Sequence, residues 1–284
     1  MQIPEEFELL YKKFYAERWE KLRKALLLSE SKVARKNLFS AYQEDFDFEQ
    51  KGEESIPRGD EGLLAFYIMD PASIYVAQAL GVQDGDKVLD MCAAPGGKAL
   101  ILAESLKETG ELIANEISSG RRERLKKVFQ QYIPKEIRMR FSLSGKDGGL
   151  FSQSHPQYFN KILIDAPCSG ERHLLKNQKE LNQWKPSRSK FLAQKQYSLL
   201  SGALVAAKPG ARIVYSTCSL SKDENDDVIG RLLEKKSVQL KVETPINAEG
   251  AIASGAEKTE FGVQFLPDRT AMGPIYYCSL KVHG

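Results

Sequence analysis

No apolar run in this 284-residue chain approaches the roughly 18 residues that a membrane-spanning helix needs. Cysteine is scarce: Cys92, Cys168, Cys218 and Cys278 are the only four, far apart and without a CxxC spacing. That argues against a zinc cluster and against the disulfide framework of a small secreted domain, so free thiols are expected and no metal. Histidine is scarcer still, with His155, His173 and His283 the three, none beside an Asp or Asn in a triad context. Neither a GxxxxGK[ST] phosphate loop nor a GxGxxG dinucleotide fingerprint occurs. There is no internal repeat or low-complexity tract. The opening, MQIPEEFELLYKKF, is too acidic and too mixed for a signal or transit peptide, and a cytoplasmic protein is expected.

What is present is a soluble-protein composition, 42% hydrophobic, with a net charge of only +3 but an uneven distribution. Residues 11–36 carry nine Lys/Arg against three Glu, residues 118–146 nine against two acids, and residues 171–195 seven against two. Any one of these reads as a solvated helix face. The third directly follows a cysteine, and positive charge beside a candidate site points to a phosphate-bearing substrate.

Phe7, Leu10, Phe14, Leu22 and Leu26 fall at helical spacing, predicting an amphipathic helix over residues 4–28, with a second over 31–43 and an acidic linker over 43–55. The domain boundary is expected near residue 60, giving an N-terminal helical extension (1–60) and a main domain (61–284). From there short apolar runs at 86–92, 111–117, 137–143, 161–167 and 211–217 alternate with helical patterns at 97–108, 118–131, 188–207 and 223–236. Closing strands are predicted near 237–243, 262–268 and 275–282. The rhythm predicts an α/β, Rossmann-like fold: a seven-stranded, mostly parallel sheet with helices on both faces. In such sheets ligands lie beyond the C-terminal strand ends.

Three such ends outline a nucleoside pocket. CAAPGGKA at 92–99 joins a strand to a helix through a glycine turn that lets the backbone approach a ligand. Glu116 ends the next strand, where a carboxylate can accept both ribose hydroxyls. Asp147, in GKDGG, follows the third strand within reach of an adenine amino group. Singly each acid reads as a cap or a loop residue; together they define a site. Two further ends carry thiols, IDAPCSG at 164–170 and YSTCSLSKDEN at 215–225. Cys278 reads as a small buried hydrophobe, and Cys92 as packing at the turn. Asp165, two residues before Pro167, shares the side of Cys168. A thiolate that adds to carbon 6 of a pyrimidine makes carbon 5 nucleophilic. Breaking the adduct then needs a proton donor near the ring nitrogen, for which Asp165 is placed, and a group that helps take the carbon-5 proton. That gives a reason for two cysteines.

VLDMCAAPGGK (88–98), ILIDAPCSG (162–170) and RIVYSTCSLSKDEN (212–225), in this order, resemble the signature motifs of the Nol/Nop/Sun family of RNA 5-methylcytosine methyltransferases. YIMDPASIYVAQAL (67–80), GERHLL (170–175) and MGPIYYCSLKV (272–282) resemble the mitochondrial small-subunit rRNA branch and its bacterial relatives. The resemblance implies S-adenosylmethionine as cofactor, surrounded by Cys92, Ala93, Ala94, Pro95, Gly96, Gly97, Lys98, Glu116, Arg121, Asp147 and Asp165. It also implies RNA, ribosomal RNA foremost, as substrate, with no membrane or DNA partner. Cys218 is implied as nucleophile and Cys168 as the group that assists release, Asp165 holding the Cys168 thiol protonated until then. Glu116 stands where the family usually has Asp. No extra RNA-binding module is visible, so the basic stretches or a protein partner would hold the RNA. The alternatives are the same chemistry on tRNA, a non-catalytic RNA-binding assembly protein, and a cysteine hydrolase pairing Cys168 with His173.

Overall fold

Among the described residues eleven short runs form strands: β1 Val33–Lys36, β2 Phe66–Met69, β3 Lys87–Asp90, β4 Glu111–Asn115, β5 Phe141–Ser144, β6 Phe159–Asp165, β7 Ala207–Thr217, β8 Leu240–Glu243, β9 Glu257–Lys258, β10 Val263–Phe265 and β11 Ile275–Val282. The computed structural model describes residues 3–28, 31–52, 55–106 and 108–284. In the main sheet β5, β4, β3, β6 and β7 are mutually parallel neighbours in that order, and β11 lies antiparallel to β7. The central residues of β3, β6 and β7 (Val88–Leu89, Ile162–Ile164, Ile213–Tyr215) are apolar in succession because both faces are covered there. Val88, Leu163, Val214 and Tyr277 face one core with the helices Pro71–Ala79, Gly97–Glu104 and Ser119–Tyr132. Leu89, Ile162, Ile213, Tyr215 and Cys278 face the other with Ser187–Ala206 and Asp226–Lys236. Cys278 is fully buried there.

The fold class is the one expected, but among the described residues the sheet has nine strands rather than seven. Alongside β11, the place of one strand is divided between β8 and β10, and β9 adds outside β10. Three local expectations change. The helix over 4–28 is two helices, Glu5–Tyr15 and Arg18–Leu27, broken where Ala16 turns to φ 49°. The helix over 31–43 is instead β1, which pairs with β2, after which Asn37 donates to the carbonyls of Leu64 and Tyr132 and ties the chain down in extended form. Tertiary pairing overrides a helical pattern here. Residues 135–138 are a helical turn started by Pro134, so the strand predicted over 137–143 begins only at Phe141. The predicted linker contains the short helix Phe48–Lys51; its residues 53 and 54, and residue 107 of the helix predicted over 97–108, lie outside the described residues.

Phe7, Tyr11, Trp19, Leu22 and Leu26 form a third core with Leu174, Leu175, Trp184, Leu220 and Leu266. The N-terminal helices thus brace the segments that follow Cys168 and Cys218. Among the described residues no helix is long and apolar enough to cross a membrane.

Candidate active site

Along the C-terminal edge of the parallel strands, in sheet order, come Asp147 after β5, Glu116 after β4, residues 92–98 after β3, Asp165 to Cys168 after β6 and Cys218 after β7. Asn115 ties three of these ends together, its amide donating to the carbonyls of Met91 (3.1 Å) and Lys146 (3.0 Å) and its oxygen accepting from the Lys146 N–H (3.0 Å). Nothing in the sequence marked Asn115, because its work is done across strands.

The glycine turn is walled on two sides. Gly96 has φ +127°, and a Cβ there would meet Val128 Cγ1 at 3.0 Å and Leu125 Cδ1 at 3.2 Å; one on Gly97 would meet the Tyr67 ring at 2.6 Å. A cavity opens beside it, lined by the 92–98 turn, Tyr67, Asp70, Ser73, Asp90 and Asp165. Asp90 is buried, and neither carboxylate oxygen makes a well-formed hydrogen bond among the described residues, the Cys92 backbone N–H giving only a weak approach. Burial, reinforced by the charge of Asp165, pushes its carboxyl from the ordinary 3.8 up to about 7. The folded protein therefore keeps a proton that the unfolded chain releases, and stability falls as pH rises from about 4 to about 7. Asp90→Asn is expected to lessen the fall of the melting temperature across that range. It should stabilise the ligand-free protein at pH 8 by up to about 4 kcal/mol, at about 1.4 kcal/mol per unit. An unchanged pH slope would show that Asp90 is not the proton store. The acid at the end of VLD was the available signal, and sequence reasoning passed over it.

Glu116 is buried: one oxygen accepts from the Ser118 N–H at 2.9 Å, and the other lies 3.3 Å from Arg121 Nη1. That pairing is electrostatic rather than a formed hydrogen bond, so the second oxygen remains able to accept. Arg121 also donates to the Ala94 carbonyl at 2.7 Å, locking the turn to the helix Ser119–Tyr132. Asp147 is exposed and caps a short 3-10 turn through the Gly149 N–H. Neither Glu116 nor Asp147 lines the cavity beside the turn; both stand on the adjoining strand ends.

Register brings the thiols together. β6 and β7 pair Asp165 with Ser216, and the Ser216 hydroxyl donates to Asp165 Oδ1 at 2.8 Å. Lys98 Nζ binds Asp165 Oδ2 at 2.8 Å and Ser73 Oγ at 3.1 Å. Burial would lower the Lys98 pKa, but the Asp165 charge outweighs it and the ammonium is stabilised. Just beyond, Cys168 Sγ lies 2.8 Å from Cys218 Sγ and accepts from the Cys218 N–H at 3.3 Å. Both are free thiols, Cys218 exposed and Cys168 partly buried. The Cys168 thiol is held well above its ordinary range by its contact with Cys218, by burial, and by the negative charge of the Cys218 sulfur and of the Glu224–Glu171 carboxyl pair. Asp165, expected to do this, is not among the largest of these influences, and its oxygens bind Lys98 and Ser216. Cys92 is also pushed up, by burial and by Asp90.

A second cavity contains Cys168, Cys218, Arg121, Arg172, His173 and Pro274, and shares Asp70, Ser73, Lys98 and Asp165 with the first. Arg172 is buried in this wall, whereas Lys176 and Lys179 are exposed. His173 turns to Glu180 at 3.0 Å while the nearest partner of Cys168 is the other thiol, an arrangement that gives the hydrolase reading no base. Among the described residues no three His, Cys, Asp or Glu side chains gather as a metal site.

Residues 77–281 match the family described as 16S rRNA methyltransferase RsmB/F. The chain is 35% identical over 238 residues to the 5-cytosine rRNA methyltransferase NSUN4 of Mus musculus, covering 78% of this chain and 61% of that one. It is 32% identical over 228 residues to the mitochondrial tRNA (cytosine(34)-C(5))-methyltransferase of the same organism, covering 77% and 64%. The chain thus spans about three fifths of the length of these relatives. A methyltransferase homologue from Pyrococcus horikoshii shares the fold, with a TM-score of 0.73 at 22% identity over 97% of this chain and 94% of that one. The motifs, the sheet order and these matches agree with the Nol/Nop/Sun resemblance, and the chain belongs to the 16S rRNA methyltransferase RsmB/F family.

Proposed function

We propose that this protein transfers a methyl group from S-adenosylmethionine to carbon 5 of a cytidine in RNA, ribosomal RNA foremost. The observation that carries this is the pair of thiols 2.8 Å apart in a cavity whose wall, at Asp165 and Lys98, is also the wall of the glycine-turn cavity. Two ligands can meet across that shared wall.

The residues present fit the cofactor. The buried Asp90 carboxyl suits its cationic end, Glu116 retains an oxygen for ribose hydroxyls, Asp147 stands at the next strand end toward the base, and the glycines leave the backbone uncovered. When bound it supplies an electrophilic methyl group. The protein's own groups do the rest. The Cys218 sulfur adds to carbon 6, forming a carbon–sulfur bond and pushing electrons toward carbon 5. Asp165, oriented by Lys98 and Ser216, takes the proton that Cys218 gives up and passes it to the ring nitrogen as the carbon–sulfur bond forms. After methyl transfer Cys168 releases its proton to solvent and, as thiolate, takes the carbon-5 proton; the carbon–sulfur bond breaks, Cys218 departs as thiolate, and the ring nitrogen returns its proton to Asp165. Arg172 and Arg121 bring positive charge to the cavity that would receive the nucleotide.

Residues 1–60 serve in this reading as an extension bracing the thiol-bearing segments, and a protein partner assists RNA targeting. A cytoplasmic location remains the reading drawn from the sequence; "mitochondrial" belongs to the names of tRNA-methylating relatives. Incubation with methyl-labelled S-adenosylmethionine and separate rRNA, small-subunit and tRNA pools is the test. Label at carbon 5 of cytidine in the ribosomal pools is the expected outcome. Label in tRNA alone moves the substrate, and no label in any pool overturns the proposal.

A further inference from the structure

Each thiol is followed at once by a serine, and the two serines meet: Ser169 Oγ and Ser219 Oγ are 2.9 Å apart. Around them lie two carboxyl groups with no exposed surface, Glu171 and Glu224. Ser169 Oγ is 2.5 Å from Glu171 Oε1 and 2.5 Å from Glu224 Oε1. Ser219 Oγ is 3.1 Å from each of the same two oxygens, and Tyr11 OH is 2.5 Å from Glu171 Oε1. The remaining oxygens are used by nitrogen donors: Glu171 Oε2 accepts from the Leu220 N–H at 3.0 Å, and Glu224 Oε2 from the Ser169 N–H at 3.0 Å and Gln196 Nε2 at 2.9 Å.

Counting protons decides what this cluster is. A hydroxyl carries one proton and an ionised carboxylate none. The Tyr11 proton satisfies its approach to Glu171. Ser169 can donate along only one of its two 2.5 Å approaches, and the other, too short for two acceptors to face each other, needs a proton on a carboxyl oxygen. Glu171 already receives donors on both oxygens, from Tyr11 and from the Leu220 N–H, as an ionised group would. Glu224 receives its nitrogen donors on Oε2 alone, leaving Oε1 to carry the proton.

We infer that Glu224 is a protonated carboxylic acid that donates to Ser169, paired with ionised Glu171, and that this pair is the positioning element that holds the two thiol-bearing loops together. Burial, and then the Glu171 charge, hold the Glu224 carboxyl above its usual range, in agreement with the proton count. The other titratable groups facing the pair are Cys168, Tyr11, Tyr15 and Tyr215, each of them also pushed toward its protonated form. The cluster spans Tyr11 of the first helix, the residues after Cys168 and the residues after Cys218. Through it the N-terminal extension reaches the spacing of the two sulfurs, and a displacement of about 1 Å at reacting groups costs on the order of 100-fold in rate.

The inference rests on the methyltransferase reading for its kinetic consequence, so the experiment has two arms. In labelled-methyl transfer, Glu224→Gln, whose amide can donate to Ser169 and accept from the Ser169 N–H, is expected within about threefold of wild type. Glu224→Ala should lower kcat on the order of 100-fold with the KM for RNA little changed. In infrared difference spectra of each variant against the wild type, a protonated-acid carbonyl stretch separate from that of Asp90 should be lost in Glu224→Gln and retained in Glu171→Gln. A Glu224→Gln protein as slow as Glu224→Ala while still folded by its melting curve overturns the inference, and so does an acid band lost in Glu171→Gln instead. A wild type that labels no RNA sinks the methyltransferase reading, and the infrared arm then decides the protonation state alone.

Discussion

Replacing Cys218 with alanine is expected to remove both methyl transfer and any covalent RNA adduct, whereas Cys168→Ala should transfer the methyl group once and then stall. The stalled species is a protein–RNA complex that survives denaturing electrophoresis. The asymmetry follows from the site. Cys218 is the exposed thiol facing the nucleotide cavity, and without its sulfur no bond to carbon 6 can form. Cys168 is held in its thiol form by the contact with Cys218 ahead of burial and of the surrounding charges. Once the Cys218 sulfur is bonded to carbon it bears no charge and no proton, and the largest of these influences is gone. Cys168 then becomes easier to ionise at the stage when a base is needed for the carbon-5 proton. The result that would reverse the roles is trapping by Cys218→Ala with none by Cys168→Ala.

Gly96→Val should abolish S-adenosylmethionine binding, measured by calorimetry on the purified protein. Two independent costs coincide at this residue. A φ of +127° lies outside what a β-branched residue adopts, a strain of about 1–3 kcal/mol. The new side chain would also press on Val128 and Leu125, at 3.0 and 3.2 Å from its Cβ alone, overpacking that costs about 1–3 kcal/mol more. The turn relieves both by moving into the cavity that it lines. Gly120, on the helix facing the turn, is the control: a Cβ there meets nothing within 4 Å, so Gly120→Ala should leave binding unchanged and add about 0.5–1 kcal/mol of stability. Unchanged affinity in Gly96→Val would remove the turn from the cofactor pocket.

The parallel sheet and its site-bearing edge could be read from the chain alone, because a strand buried on both faces must be apolar at successive residues. Runs such as KVLD, KILID and RIVYST have few other uses. The helices behind them follow from local periodicity, and the two thiols, the glycine turn and Asp165 follow from their places just past strand ends. Reading failed where a segment's state is set by a distant partner. Residues 33–36 have no strand signature and become β1 because β2 offers an unpaired edge, and Asn37 then fixes the chain against Leu64 and Tyr132. The division of one strand position between β8 and β10 likewise depends on the length of β11.

At the site, motifs name residues but not the company they keep. That Asp165 is spent on Lys98 and Ser216, leaving Cys168 to be tuned by Cys218, Glu171 and Glu224, depends on the β6–β7 register and on loops about fifty residues apart in the chain. Tyr11 reaches Glu171 across 160 residues. Local sequence sets which chemistry-bearing groups exist and which strand ends carry them, because those depend on near-neighbour patterns. Protonation and pairing depend on burial and on charges within a few ångströms, and only the assembled tertiary structure brings those charges together.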